Sequence, residues 1–277
     1  MMMHIAVRDV ARSEEFSSML QELRNLVDVV EIQFDDKGMY LQTMDSSHVL
    51  LLEIVLPHYW FDVYEVPTPI CIALQTGLLQ KIFKIREKNM WLDWKVAEEN
   101  NDVLMVKYYD KGCPPPKYEF ALPLLDVSLG MLNIPEQEHD VQLKFKSSVF
   151  AEWIDKLNKF GGDTVVFKIA ELQSSVLMYT SGALMESSTM TVDATRDTEE
   201  FLVTAGLDLS ISVSLKYMKD IVSFQRIAEC ITLGITENMP LKLKYPLINL
   251  KNDGVENGDG EELLPHVTFY LAPKLDD

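Results

Sequence analysis

One order of elements, helix, strands, helix, strands, occurs twice in this 277-residue chain. The copies are spaced by about 130 residues, which limits the chain to folds made of two similar halves. Residues 13–28 read as the first helix, with Ser13 as its cap and Phe16, Met19, Leu20, Leu23 and Val27 on one face. Alternating segments follow at 30–34, 39–41, 49–56 and 70–73, the first two parted by the turn signal Asp35-Asp36-Lys37-Gly38. A second helix is expected over 75–84 with Thr76 as cap, then strands at 90–96 and 103–109. Gly112-Cys113-Pro114-Pro115-Pro116 breaks the series.

The second copy opens with a helix capped by Ser148, with Phe150, Trp153, Ile154 and Leu157 at i, i+3, i+4 and i+7, stopped at Gly161-Gly162. Residues 164–169 stand where 30–34 stood. A fourth helix over 212–224 precedes strands at 231–235 and 241–245. Two tandem α+β domains from a duplication account for this order: 1–120 and 141–277, joined by a connector at 121–140. The connector is rich in leucine, so it must lie against a surface, its own or a partner's.

The stretch Leu41-Gln42-Thr43-Met44-Asp45-Ser46-Ser47-His48-Val49 is a strand that ends in a polar turn and restarts. Asp45, Ser46 and His48 could serve a hydrolase. The same residues also make a turn capped by its own short side chains, which the local chemistry favours.

Charge narrows the partners. There are 43 Asp+Glu against 25 Lys+Arg, a formal net charge of −18. A protein that binds nucleic acid over its outer surface has the opposite sign, so any such ligand must meet a segregated basic face. The second helix has such a face in Lys81, Lys84 and Lys88, and the fourth in Lys216, Lys219 and Arg226. The third adds Lys156 and Lys159, and the first Arg24. Long lysines on helix faces suit phosphate contact without base reading.

Cys71, Cys113 and Cys230 are far apart and odd in number, which favours free thiols in a reducing compartment. The N-terminus has no secretory pattern, and the apolar run 49–56 is broken by Glu53 and too short to cross a membrane. No phosphate loop, dinucleotide fingerprint, nucleophile elbow or zinc spacing is present, so no cofactor or metal is expected. The acidic loop 252–262 has Val255 where a calcium loop needs an oxygen ligand. The absence of a catalytic constellation favours a binding protein.

With these parts in place, the chain resembles the PCNA-type sliding clamps of eukaryotes, archaea and large DNA viruses. The likeness rests on residues 41–49, on Asn133-Ile134-Pro135-Glu136-Gln137-Glu138, on Met239-Pro240-Leu241, and on Tyr270-Leu271-Ala272-Pro273-Lys274. It implies two processivity-fold domains per subunit, with three subunits in a head-to-tail ring, helices lining the hole and antiparallel sheets outside. Its edge strands would be 103–109 (Val103, Met105, Lys107, Tyr109) and Ser187–Asp193 (Ser187, Thr189, Thr191). Such a ring encircles duplex DNA, slides, and tethers polymerases and other enzymes. A separate ATP-dependent loader opens it. Clients dock a Q-x-x-aliphatic-x-x-aromatic-aromatic peptide in a pocket of Met44, His48, Val49, Leu132, Ile134, Pro240, Tyr270, Leu271, Ala272 and Pro273. The resemblance implies no enzyme activity, and work in the nucleus or at a viral replication site.

Several positions depart from the family pattern. Glu152 and Asp155 stand where arginines are common, and Ser17 and Ser18 where lysines are common, which leaves DNA contact to the second and fourth helices. Glu171 replaces a frequently modified lysine, His139 replaces an aromatic, and residues 246–264 form an insertion. This divergence points to a viral or early-branching source. The alternatives within the family are a subunit of a heterotrimeric checkpoint clamp and a monomeric viral processivity factor.

Overall fold

The computed structural model describes residues 2–110, 115–127, 130, 132–134, 138–170, 175–181, 187–193, 196–204, 208–247 and 264–274. Glu171, Cys113, the loop 252–262 and part of the connector lie outside the described residues.

The first half contains β1 (Met3–Val7), α1 (Val10–Glu22), β2 (Val29–Phe34), β3 (Gly38–Met44), β4 (Leu50–Pro57), β5 (Val63–Glu65), β6 (Ile70–Gln75), α2 (Thr76–Ile85), β7 (Trp91–Ala97), β8 (Asn100–Tyr109) and β9 (Tyr118–Pro123). The second contains β10 (Val141–Lys146), α3 (Ser147–Asn158), β11 (Thr164–Ala170), β12 (Ser175–Ser181), β13 (Ser187–Asp193), β14 (Glu200–Val203), β15 (Asp208–Ser214), α4 (Leu215–Val222), β16 (Cys230–Ile235), β17 (Leu241–Pro246) and β18 (His266–Leu271). Strands β1 to β9 and β10 to β18 thus correspond one to one. So do their pairings: β5-β1-β7-β8-β9 recurs as β14-β10-β16-β17-β18, and β4-β3-β2-β6 as β13-β12-β11-β15. The duplication read from the sequence extends to strand order.

The chain divides into two compact units. The first comprises 1–45, 52–132 and 247–267; the second 46–51, 133–246 and 268–277. In each unit two helices pack together against the strands. The core of the first is aromatic: Phe16 lies 5.2 Å from Trp94, edge to face, and 6.5 Å from Phe83. In the second, Phe145 stacks on Phe150 at 5.7 Å and meets Trp153 edge-on at 5.3 Å.

The helix starts differ from the sequence reading. Asp9 caps α1, its carboxylate accepting from the Arg12 N–H at 2.9 Å, and Ser13 is buried inside the helix. Thr76 does not cap α2. Its hydroxyl donates to the Val27 and Asp28 carbonyls at 2.6 and 3.1 Å, tying the helix start to the segment that leads into β2. Ser148 lies within α3 and Ser212 within β15, so α4 begins at Leu215. β9 takes residues 118–123, so the connector proper starts at Leu124, whose N–H donates to the Asp102 carbonyl at 2.8 Å.

The Asp35-Asp36-Lys37-Gly38 turn forms as expected. Asp35 Oδ1 accepts from the N–H of Lys37 at 2.8 Å and of Gly38 at 3.1 Å. Glycine is required at 38 because a Cβ there would sit 2.3 Å from the Leu56 carbonyl oxygen.

Candidate functional site

The basic residues fall into two groups. On α2, Leu79, Ile82 and Phe83 are buried while Lys81 and Lys84 are exposed. On α4, Leu215, Met218, Ile221 and Val222 are buried while Lys216 and Lys219 are exposed. Among the described residues, none of these four lysines forms an ion pair, nor does Arg226 in the short 3-10 turn Ser223–Arg226. The other helices behave differently. Lys156 pairs with Glu152 at 2.7 Å and Lys159 with Asp155 at 3.5 Å, each one turn back on α3. Arg24 pairs with Asp28. These contacts follow i, i+4 spacing, but the spacing alone does not separate neutralised cations from available ones: Asp220 stands four residues after Lys216, which forms no ion pair among the described residues.

Lys88 does not belong to the α2 stripe. The helix ends at Ile85, because Arg86 turns to an extended conformation (φ −57°, ψ 125°). The buried Arg86 side chain donates to the Val10 and Met90 carbonyls at 3.1 and 3.0 Å, and this fixes the exit of the chain. Lys88 is exposed in the turn that follows.

The edge strands also need correction. β8 pairs with β7 on one side and β9 on the other, so Val103, Met105, Lys107 and Tyr109 lie on an inner strand. The strand at that end of the sheet is β9, with β5 at the other end. The sequence shows alternation in both strands, but edge position is set by pairing, which alternation does not encode. β13 does stand at the end of its sheet, paired with β12 from Ser187 through Asp193, so Ser187, Thr189 and Thr191 are on an outer strand.

The expected peptide-binding residues fall in both units. In the second, the Ala272 N–H donates to the Val49 carbonyl at 2.9 Å and joins the turn before β4 to the C-terminal segment. Leu271 is buried, and Tyr270, Ala272, Pro273, Val49 and Ile134 are partly exposed. His48 and Pro240 are exposed. Lys274 pins the segment: its N–H donates to the Ser212 carbonyl at 2.7 Å, and its Nζ to the Thr164 hydroxyl at 2.6 Å. In the first unit, Met44 is half-buried and Leu132 is 51% exposed, an apolar side chain left to solvent on the connector.

Gln42, which sequence reasoning left without a role, holds that connector. Its amide Nε2 donates to the Leu132 carbonyl at 2.9 Å, and its Oε1 accepts from the Leu132 N–H at 2.6 Å. Tyr40 orients the amide, its hydroxyl accepting from Nε2 at 3.0 Å and donating to Glu53 at 2.9 Å. Gln42, Tyr40 and Glu53 alternate onto one face of neighbouring strands, but no spacing rule names the connector as their target.

The hydrolase reading fails on geometry. Ser46 and His48 are exposed, and residue 48 takes the left-handed conformation of a turn (φ 58°). Among the described residues no hydrogen bond reaches the His48 ring, so it neither activates Ser46 nor is oriented by a carboxylate.

His139 lies on the outward side of β16. A Cβ at Gly234 would meet its ring at 2.5 Å, and its Nδ1 is 3.2 Å from the Thr236 hydroxyl. Burial, then the nearby Lys242 ammonium, lower its pKa.

Comparison with known proteins agrees with this organisation. Residues 10–129 match the family model described as "Proliferating cell nuclear antigen, N-terminal domain", and residues 133–255 match the corresponding C-terminal domain. The chain is 23% identical over 266 residues to "Proliferating cell nuclear antigen 2" of Plasmodium falciparum, covering 95% of this chain and 96% of that protein.

Proposed function

This chain belongs to the proliferating cell nuclear antigen family, whose members act as DNA sliding clamps, and from that premise we propose how its residues divide the work. Three copies close head-to-tail through the outer strands β9 and β13 and encircle duplex DNA. The exposed lysines of α2 and α4, with Arg226, meet the phosphates. Met44 and Leu132 in the first unit, and His48, Val49, Ile134, Pro240 and residues 270–273 in the second, supply contacts to the anchoring peptide of polymerases and other clients. A separate ATP-driven loader opens the ring, and the protein works where the genome is copied.

One observation carries the DNA reading: the cations of α2 and α4 form no ion pair among the described residues, whereas Arg24 just after α1, and Lys156 and Lys159 of α3 and its end, are neutralised by carboxylates one turn away. Counterion release needs cations that a phosphate can reach. A chain of net charge −18 must present them on a restricted surface if it is to hold DNA at all.

Retention on circular against linear DNA tests this. After loading, the protein should remain on nicked circles and leave when the circles are cut once. Equal retention on both forms would mark a binder of linear DNA and sink the ring reading.

A further inference from the structure

Strands β10, β16, β17 and β18 contain no aspartate or glutamate. In a chain with 43 acidic and 25 basic residues, that is a local reversal of charge. The outward positions of β10 hold Lys144 and Lys146, and those of β17 hold Lys242 and Lys244, while the alternate positions are buried. Register aligns Lys144 with Thr232, and Thr232 with Lys244, in one row across three strands. Two strand spacings put the ends of that row about 10 Å apart, which matches carboxylates about three residues apart on an extended chain. The row beside it ends at Lys242, whose Nζ lies 5.8 Å from the ring centroid of Tyr270. At the margin, Glu199 pairs with Lys144 at 3.6 Å and Glu200 stands opposite it on β14.

The duplication supplies an internal control. In the corresponding sheet of the first unit, β7, β8 and β9 each carry a carboxylate: Asp93, Asp102 and Glu119. There His4 meets Asp93 at 2.7 Å and Lys107 meets Glu119 at 3.2 Å. The second unit keeps the cations on this face and has no carboxylate on its central strands.

We propose that this lysine face takes an acidic segment of a client protein, the stretch flanking the anchoring peptide where it passes Tyr270. The proposal rests on the client-pocket reading above and adds a rule for client choice: acidic flanks are favoured over basic ones. A short flexible segment suits the face better than a duplex, because Glu199, Glu200 and the acidic surroundings repel a long rigid polyanion while a few carboxylates fit within the row.

The test uses the full chain and fluorescent peptides that share one anchor and differ in a short acidic, neutral or basic run on either side. At low salt the acidic flank should bind roughly five- to tenfold tighter than the neutral one, and the gain should shrink as salt rises. Lys146→Glu with Lys244→Glu should reverse the order of acidic and basic flanks and leave the neutral peptide within about twofold. Lys146→Gln with Lys244→Gln should abolish the preference. Thermal melts confirm that both double variants fold. Lys242 is left intact because it packs on Tyr270. Equal affinity for all three flanks overturns the proposal and spares the pocket, whereas failure of every peptide overturns both. A short duplex that binds the wild type and not the charge-reversed variant makes the face a nucleic-acid site and also overturns the proposal.

Discussion

The side-chain amide of Gln42 grips the backbone of Leu132 from both sides, donating to its carbonyl at 2.9 Å and accepting from its N–H at 2.6 Å. One side chain on β3 therefore fixes the register of the connector. Replacing Gln42 with Ala removes two hydrogen bonds, each with a net value of about 0.5–1.5 kcal/mol. We expect Gln42→Ala to leave the fold intact, speed amide exchange at Leu132, and weaken binding of a client-type peptide severalfold. Unchanged exchange at Leu132 would show that the amide does not hold the connector.

The two classes of cation predict unequal effects on DNA. Lys84→Glu with Lys216→Glu should cut retention on DNA and lower the salt dependence of binding, since each lost phosphate contact removes about 0.9 from the slope. Lys156→Glu should do much less, because Glu152 already holds that lysine at 2.7 Å. Equal losses from the two sets would remove the distinction between available and neutralised cations.

Strand β9 can be tested by adjacent prolines. In an antiparallel strand, successive N–H groups point to opposite sides. Of Phe120→Pro and Ala121→Pro, the one facing β8 should break the sheet and lower the melting temperature. The other should spare the fold while reducing the assembled mass to that of a single chain by light scattering. A folded trimer from both variants would refute β9 as the contact strand.

Glu15 on α1 supplies a pH signature. Burial raises its pKa from 4.5 to about 7; Asp9 and Glu14 add to the rise and Arg12 opposes it. The folded state then binds the proton more tightly than the unfolded chain, so stability falls as pH climbs from the ordinary carboxylate range toward 7. Glu15→Gln should raise the melting temperature at pH 8 and leave it nearly unchanged at pH 4. A shift of equal size at both pH values would mean that Glu15 is not the group responsible.

Some of this was legible in the residues. The two spacings, 3.6 and 2.0, located the helices and half of the eighteen strands among the described residues, and their recurrence revealed the duplication. Residues 41–49 read correctly as strand, turn and strand, with β3 ending at Met44 and β4 starting at Leu50. Strands β1, β5, β9, β10, β12, β14, β15 and β18 went unread; β5 and β14, of three and four residues, are too short for periodicity to stand out, and residues 212–214, expected to open the fourth helix, belong to β15. The caps were misassigned for a related reason. Ser13 and Thr76 are good cap residues by type, but what a hydroxyl bonds to depends on which carbonyls the fold brings near it.

The sequence by itself determined the two-domain α+β organisation, the acidic total and the lysine-rich helix faces. Each follows from residue order and short-range geometry. The tertiary structure alone decided that α2 ends before Lys88, that β9 and not β8 is the outer strand, and that Gln42 holds Leu132. These are relations between residues far apart in the chain. They are settled by which backbone groups meet across space, and local patterns of polarity do not encode that choice.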